Sequence, residues 1–208
     1  MPRMKNHFPD TPRFRYNSIV RVLTLTDTLV WAGYFMNNAI VAIYLSDKID
    51  IDPIRAIGFG YAIFLVSRSL FQIPIAKFLD RHKSSKDGLY AIVIGGLLMA
   101  LAFISYLFIA HEYHLYLIQV GFGLGAALYL PAWRKTFTKN VDAGGEGSDW
   151  AIADTITTLS AAILTAFAAY IVNETDNFSY LFFIAAFFAT IGSLAIFTLI
   201  KSRKLKVK

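Results

Sequence analysis

Long apolar stretches separated by short polar ones set the plan of this chain. Six runs stand out: Val22–Leu45, Ile57–Leu79, Leu89–Ala110, Leu115–Trp133, Trp150–Val172 and Tyr180–Ile200. A helix rises about 1.5 Å per residue, so roughly 20 residues cross a hydrocarbon core about 30 Å thick. Every run meets that length. The pattern predicts an all-α polytopic membrane protein with six transmembrane helices, and the connectors are too short to hold a soluble domain. The chain divides into an N-terminal tail over 1–17, a six-helix bundle over 18–202 and a basic tail over 203–208. The first run is too long for the core of a signal peptide and has no small-residue cleavage site behind it, so it is expected to be retained.

Polar positions inside the runs separate the helices chemically. The third and sixth carry no Asp, Glu, Lys, Arg or His, whereas the first, second and fifth carry Asp27, Arg68 and Asp154. A helix apolar on all sides tolerates lipid. The third and sixth are therefore expected on the outside, with the other four around a protein interior or aqueous cavity. Asp27, Trp31, Tyr34 and Asn38 fall at i, i+4, i+7 and i+11 and share one helix face. Tyr61, Arg68 and Gln72 form a second polar stripe, and Asp154, Thr158 and Thr165 a third. Aromatics and hydroxyls at such positions also serve as packing residues and interhelical hydrogen-bond partners. The charges demand more, because each costs about 2.5–3.5 kcal/mol near the bilayer centre if it faces lipid. Arg68, near the middle of its run, is the strongest case. The fourth run contains Gly121, Gly123 and Gly125, positions where a neighbouring helix can approach, and Pro131 near its end.

Apolar residues make up 56% of the chain and charged residues 16%, with a net charge of +6. That basic balance does not point to nucleic acid, because the basic residues follow the loops. Of the 20 Lys and Arg residues, 17 fall in the two tails and the second-to-third and fourth-to-fifth connections, against Lys48 and Arg55 on the other side. The positive-inside rule then places both termini in the cytoplasm, in a plasma or inner membrane. With no cysteine, there are no disulfides and no thiolate metal sites. His7, His82, His111 and His114 sit in the tail and loops without nucleophile–base or metal-ligand spacing, which argues against an enzyme and against a metal or other cofactor. Two Asn-X-Ser/Thr triplets, at Asn173 and Asn177, are short enough to arise by chance.

Residues 73–88, IPIAKFLDRHKSSKDG, crowd six charges and His82 between the second and third runs. Asp80 and Arg81 at the end of a second helix, followed by further bases and a third apolar helix, resemble the signature loop of the major facilitator superfamily. The match is partial: Ala76 and Lys83 stand at the two glycine positions, and Ser84 replaces a base. The glycine-rich fourth helix ending in LPAWRKTF and the six-helix spacing are similar to that family too. The resemblance implies a fold like one half of such a transporter, with the first and fourth helices lining a central cavity. Members generally hold two six-helix halves related by a pseudo-two-fold axis. This chain, with Met1 at one end and a basic tail at the other, reads as a self-standing half.

The resemblance implies a half-sized secondary transporter of a small polar or amphipathic solute, working as a homodimer in the lipid bilayer by alternating access. The pathway candidates are Asp27, Trp31, Tyr34, Asn38, Arg68, Gln72, Asp154 and Thr158, with Asp27 or Asp154 taking a coupling proton and Arg68 an anionic group. Asp80, Arg81 and Ser148 form a candidate cytoplasmic gate, in which Asp80 meets the start of the partner's fifth helix near Ser148–Trp150. Two alternatives stay open: one half of a heterodimeric transporter, or a non-transporting membrane scaffold or assembly protein.

Overall fold

The computed structural model describes residues 17–49, 52–81 and 84–201. The predicted tails, apart from Asn17, lie outside the described residues, as do His82 and Lys83 of the second-to-third connection. Six described helices are long and apolar enough to cross a membrane. They are α1 (Ser18–Lys48), α2 (Pro53–Arg81), α3 (Ser85–Ser105), α4 (Glu112–Asn140), α5 (Glu146–Thr175) and α6 (Ser179–Ala195), the last continued by a short α7 (Phe197–Lys201).

Several helices outrun the apolar runs that predicted them. The fourth run, Leu115–Trp133, becomes a helix of 29 residues. Polar residues that end a hydrophobic run do not end the helix, because backbone bonding continues into the headgroup region while the side chains meet water. Local chemistry sets the true ends. Asn17 Oδ1 accepts from Ile19 N at 3.1 Å, while its Nδ2 donates to Asn140 O at 3.3 Å and ties the start of α1 to the end of α4. Asp52 Oδ1 accepts from Ile54 N at 2.8 Å and from Arg55 N at 3.1 Å at the start of α2. Side-chain oxygens of this kind satisfy N–H groups that have no partner within the helix. Ser193 donates back to Ala189 O at 2.6 Å, and the last span breaks at Ile196, three residues on. A hydroxyl bonded into its own preceding turn loosens a helix there.

The helices pack in the order α5, α1, α6, α3, α4, α2, with α1 also approaching α2 and α4. Exchanging α1 with α4, α2 with α5 and α3 with α6 maps this order onto itself, so the bundle is built from two three-helix units. Close approaches fix the joins. At the α3–α4 crossing a Cβ on Gly125 would lie 2.8 Å from Gly95 O, and one on Gly95 would lie 2.6 Å from Gly125 O. Gly123 faces the other neighbour, α2, where a Cβ would lie 2.7 Å from Ser67 Cβ. Gly121 has open space around it, so the close-packing role expected of all three glycines holds for two.

Helices α3 and α6 form the back of the molecule, packed on each other and on α1 and α4. They are not simply a lipid-facing shell: Met99, Phe103 and Phe182 are fully buried, and only one side of each helix, including Ile94, Leu101, Phe183 and Phe187, is exposed. The ends of the row are the more open elements. On α2, Val66, Leu70 and Ile73 are exposed, and on α5, Leu159, Ile163 and Phe167 are.

Candidate solute pathway between the helices

Two cavities lie along the seam between α1, α2, α4 and α5. The first sits toward the end of the bundle where α1 begins, here called the terminal end, and encloses about 350 Å³. Asp27, Trp31 and Phe35 line it from α1 and Arg68 from α2. Leu130, Trp133 and Arg134 enter from α4, and Trp150, Asp154, Thr157 and Thr158 from α5. Five of the eight predicted pathway residues thus meet in one space, although they come from three helices and span most of the sequence.

Each polar group is held differently. Tyr129, fully buried on α4, donates to Asp27 Oδ1 at 3.1 Å. Trp133 Nε1 donates to Leu23 O at 2.9 Å, which fixes its ring against α1. Thr28 and Thr157 share a hydroxyl–hydroxyl bond of 3.0 Å that joins α1 to α5. The Arg68 guanidinium lies 5.6 Å from the centre of the Phe64 ring, and its buried Nε has no hydrogen-bond partner. Trp133 packs against Phe137 at 4.8 Å and Trp150 at 5.6 Å, an aromatic cluster on the terminal side.

A second cavity, of about 320 Å³, lies toward the opposite, distal end. Tyr34, Asn38 and Val41 line it from α1, Ile57 and Tyr61 from α2, Tyr106 from the turn after α3, and Leu115 and Gln119 from α4. Its polar groups are phenols and amides with no formal charge. Gln119 Nε2 donates to the Tyr106 hydroxyl at 3.0 Å, and nearby on α1 the buried Asn37 Oδ1 is unpartnered.

Between the cavities stands an aromatic layer. Tyr34 packs against Phe64 at 5.7 Å and Phe122 at 5.3 Å, Phe64 meets Phe122 at 5.6 Å, and Phe103 backs Phe122 at 5.2 Å. Trp31 joins the layer from the terminal side, 5.3 Å from Tyr34. The stripe on α1 is therefore divided, with Asp27 and Trp31 in one cavity and Tyr34 and Asn38 in the other. Gln72 lines neither cavity.

The three gate candidates are all exposed at the terminal end. Asp80 forms an ion pair of 2.9 Å with Lys135 on α4 of the same chain, and Lys135 also donates to Leu79 O at 2.7 Å. Within the chain, then, Asp80 already has a basic partner. Asp149, whose charge would oppose Asp80, is buried, and its Oδ2 accepts from Asp142 N at 3.2 Å in its own connection. Trp133, Arg134 and Trp150 line the terminal cavity without being singled out by the sequence pattern: at helix ends a Trp or Arg reads as an interfacial anchor or as part of the loop charge bias. Their spacing does hold a signal, since Leu130 and Arg134 share a face at i, i+4 and continue the stripe of α4 that carries Tyr129 and Trp133.

Six membrane-crossing helices around a divided polar seam define an integral, multi-pass membrane protein with the architecture of a transporter. The chain belongs to the Major Facilitator Superfamily, whose pattern matches residues 23–208. Members of that family are transporters, not enzymes. Comparisons with curated proteins and with solved structures return no significant match.

Proposed function

We propose that this chain is half of a secondary transporter that moves a small polar or amphipathic solute by alternating access, and that two copies form the working unit. The observation that carries this reading is the aromatic layer of Tyr34, Phe64 and Phe122 between a charged terminal cavity and an uncharged distal one. A solute path interrupted at one level, with a chamber on each side, is what exposure to one side at a time requires. Rocking one copy against the other would open each chamber in turn.

Two features favour a second copy as the opposite wall. The seam is bounded by α2 and α5, and both carry exposed apolar rows at the ends of the packing order. A two-fold axis parallel to the membrane normal would set the α2 of one copy near the α5 of the other. In this arrangement Asp80 and Arg81 approach the partner's Ser148 at the cytoplasmic face of a plasma or inner membrane. Arg68 receives an anionic group of the solute, and Asp27 or Asp154 takes the coupling proton. The Asp80–Lys135 pair would then be one of two alternating partnerships of Asp80.

The chain has no cysteine, so introduced thiols are the only ones. The test combines Asp80→Cys and Ser148→Cys with Asn38→Cys in proteoliposomes. Oxidation should give a covalent dimer, and locking the terminal end should raise labelling of the thiol at position 38 by an impermeant maleimide from the distal side. A disulfide confined to single chains removes the homodimer. Unchanged labelling at position 38 in the locked dimer removes alternating access.

A further inference from the structure

The terminal cavity holds acidic and basic side chains that form no ion pair with one another. Asp27, Asp154, Arg68 and Arg134 all line it. Among the described residues, the ion pairs within 4.0 Å are Arg55–Glu112 and Lys135–Asp80, so none of these four side chains touches an opposite charge. Ring systems stand among them. Trp31 follows Asp27 by one turn of α1, Phe64 lies under the Arg68 guanidinium, and Trp133 and Trp150 flank Arg134 and Asp154 in sequence and line the same wall.

Opposite charges in one membrane-embedded space attract strongly, because the surroundings screen them weakly. Left alone, long Arg side chains would close onto the carboxylates. Here the Arg68 head is stacked on a ring, and its Nε donor is buried and unused. A planar guanidinium with a free edge fits a carboxylate through two parallel N–H bonds. Tyr129 already donates to Asp27, whereas the Asp154 carboxylate makes no ion pair among the described residues and is the acceptor open to an ammonium group. Tryptophan faces add attraction for a cation and cover for apolar carbon.

Resting on the transport reading above, we infer that the solute is a zwitterion with an apolar body, an amino-acid-like molecule. Its carboxylate is held by Arg68, its ammonium by Asp154, and its body by Trp31, Trp133 and Trp150, which leaves Asp27 for the coupling proton. Such a solute satisfies both sets of charges without adding net charge to the membrane interior. One copy of the chain carries the whole recognition set. The distal cavity, with phenols and amides only, offers weaker polar contacts and serves for passage instead of selection.

The three tryptophans of the chain all line this cavity, so intrinsic fluorescence excited at tryptophan reports on its occupancy. The test titrates the protein in nanodiscs with L-phenylalanine, its decarboxylated amine phenethylamine, its deaminated acid 3-phenylpropanoate, and L-leucine as an aliphatic zwitterion. At least one zwitterion should give a saturable change with a Kd at least tenfold below those of both the amine and the acid. Arg68→Leu should erase the advantage over the amine, Asp154→Asn should erase the advantage over the acid, and Arg68→Lys should fall between Arg68→Leu and the parent. Equal binding of the amine or the acid overturns the zwitterion, as does the absence of a saturable response to both amino acids. The ligand-free cross-linking test of alternating access separates the two claims. If the locked dimer opens distally while zwitterions fail, only the solute class is lost. If zwitterions bind and the locked dimer does not open, the transport reading is lost.

Discussion

Trp31 and Tyr34, one turn apart on α1, meet edge to face at 5.3 Å and yet belong to different cavities. The boundary of the two chambers runs between them. Tyr34→Ala should cost about 2–4 kcal/mol, toward the low side of large-to-small aromatic changes because Tyr34 is half-buried. It should also let an impermeant maleimide applied from the distal side reach a thiol introduced by Thr158→Cys. Tyr34→Phe keeps the ring and should leave the barrier closed. Barrier function intact in Tyr34→Ala would place the division elsewhere.

Tyr129 donates to the Asp27 carboxyl at 3.1 Å. Removing its hydroxyl leaves a half-buried acid short of a partner, at a cost of about 1–3 kcal/mol. Tyr129→Phe should lower the midpoint of SDS-induced unfolding accordingly. In an Asp27→Leu background, where no acceptor remains, the same change should cost much less. Equal losses in both backgrounds would show that the hydroxyl acts through something other than Asp27.

Gly125 and Gly121 offer a matched comparison on one helix. A methyl group at Gly125 would meet Gly95 O at 2.8 Å and Met99 Cγ at 2.9 Å, so α3 must shift, at roughly 1–3 kcal/mol for overpacking. At Gly121 nothing lies within 4 Å. Gly125→Ala should therefore destabilise and Gly121→Ala should not, and thermal aggregation in mild detergent is enough to rank them.

Arg68 should be dispensable for the fold. Its Nε is buried without a partner, a situation that costs about 1–3 kcal/mol. Arg68→Leu should unfold no more easily than the parent, while solute binding is lost. A fall of more than about 2 kcal/mol in stability would mean that Arg68 is a structural brace, because unpartnered buried groups are not stabilising.

Sidedness is read most directly from Ser46 and Ser148, both exposed and at opposite ends of the bundle. With the basic loops in the cytoplasm, Ser148→Cys should label only from the cytoplasmic face and Ser46→Cys only from the other. Labelling of both from one side would contradict the six-span arrangement.

Period and length carried the helices and the shared faces. Six apolar runs are long enough to cross a bilayer, and a spacing of 3.6 residues puts Asp27, Trp31, Tyr34 and Asn38 on one side of α1 whatever packs against it. The isolated Arg68 marked itself by its cost in lipid. Helix ends were less legible, since hydropathy falls before backbone bonding stops, as between Trp133 and Asn140 on α4.

What a one-dimensional pattern lacks is the identity of the neighbour. A stripe of 11 residues extends about 16 Å along a helix, far enough to run past a partition, and only the rings of Phe64 and Phe122 on other helices divide it at Tyr34. Gly121, Gly123 and Gly125 read alike in sequence, but helical rotation turns Gly123 toward α2 and Gly125 toward α3, while Gly121 opens on a groove walled by Leu98, Leu101 and Ala102 of α3 with nothing within 4 Å of its Cβ position. Trp133, Arg134 and Trp150 read as anchors at helix ends, yet the packing of α4 and α5 beside α1 turns them into cavity walls. The sequence alone settled the membrane, the number of spans and the face each polar residue takes. The tertiary structure decided which faces meet, because a contact between distant helices depends on the position of both, and each helix's own periodicity specifies only one.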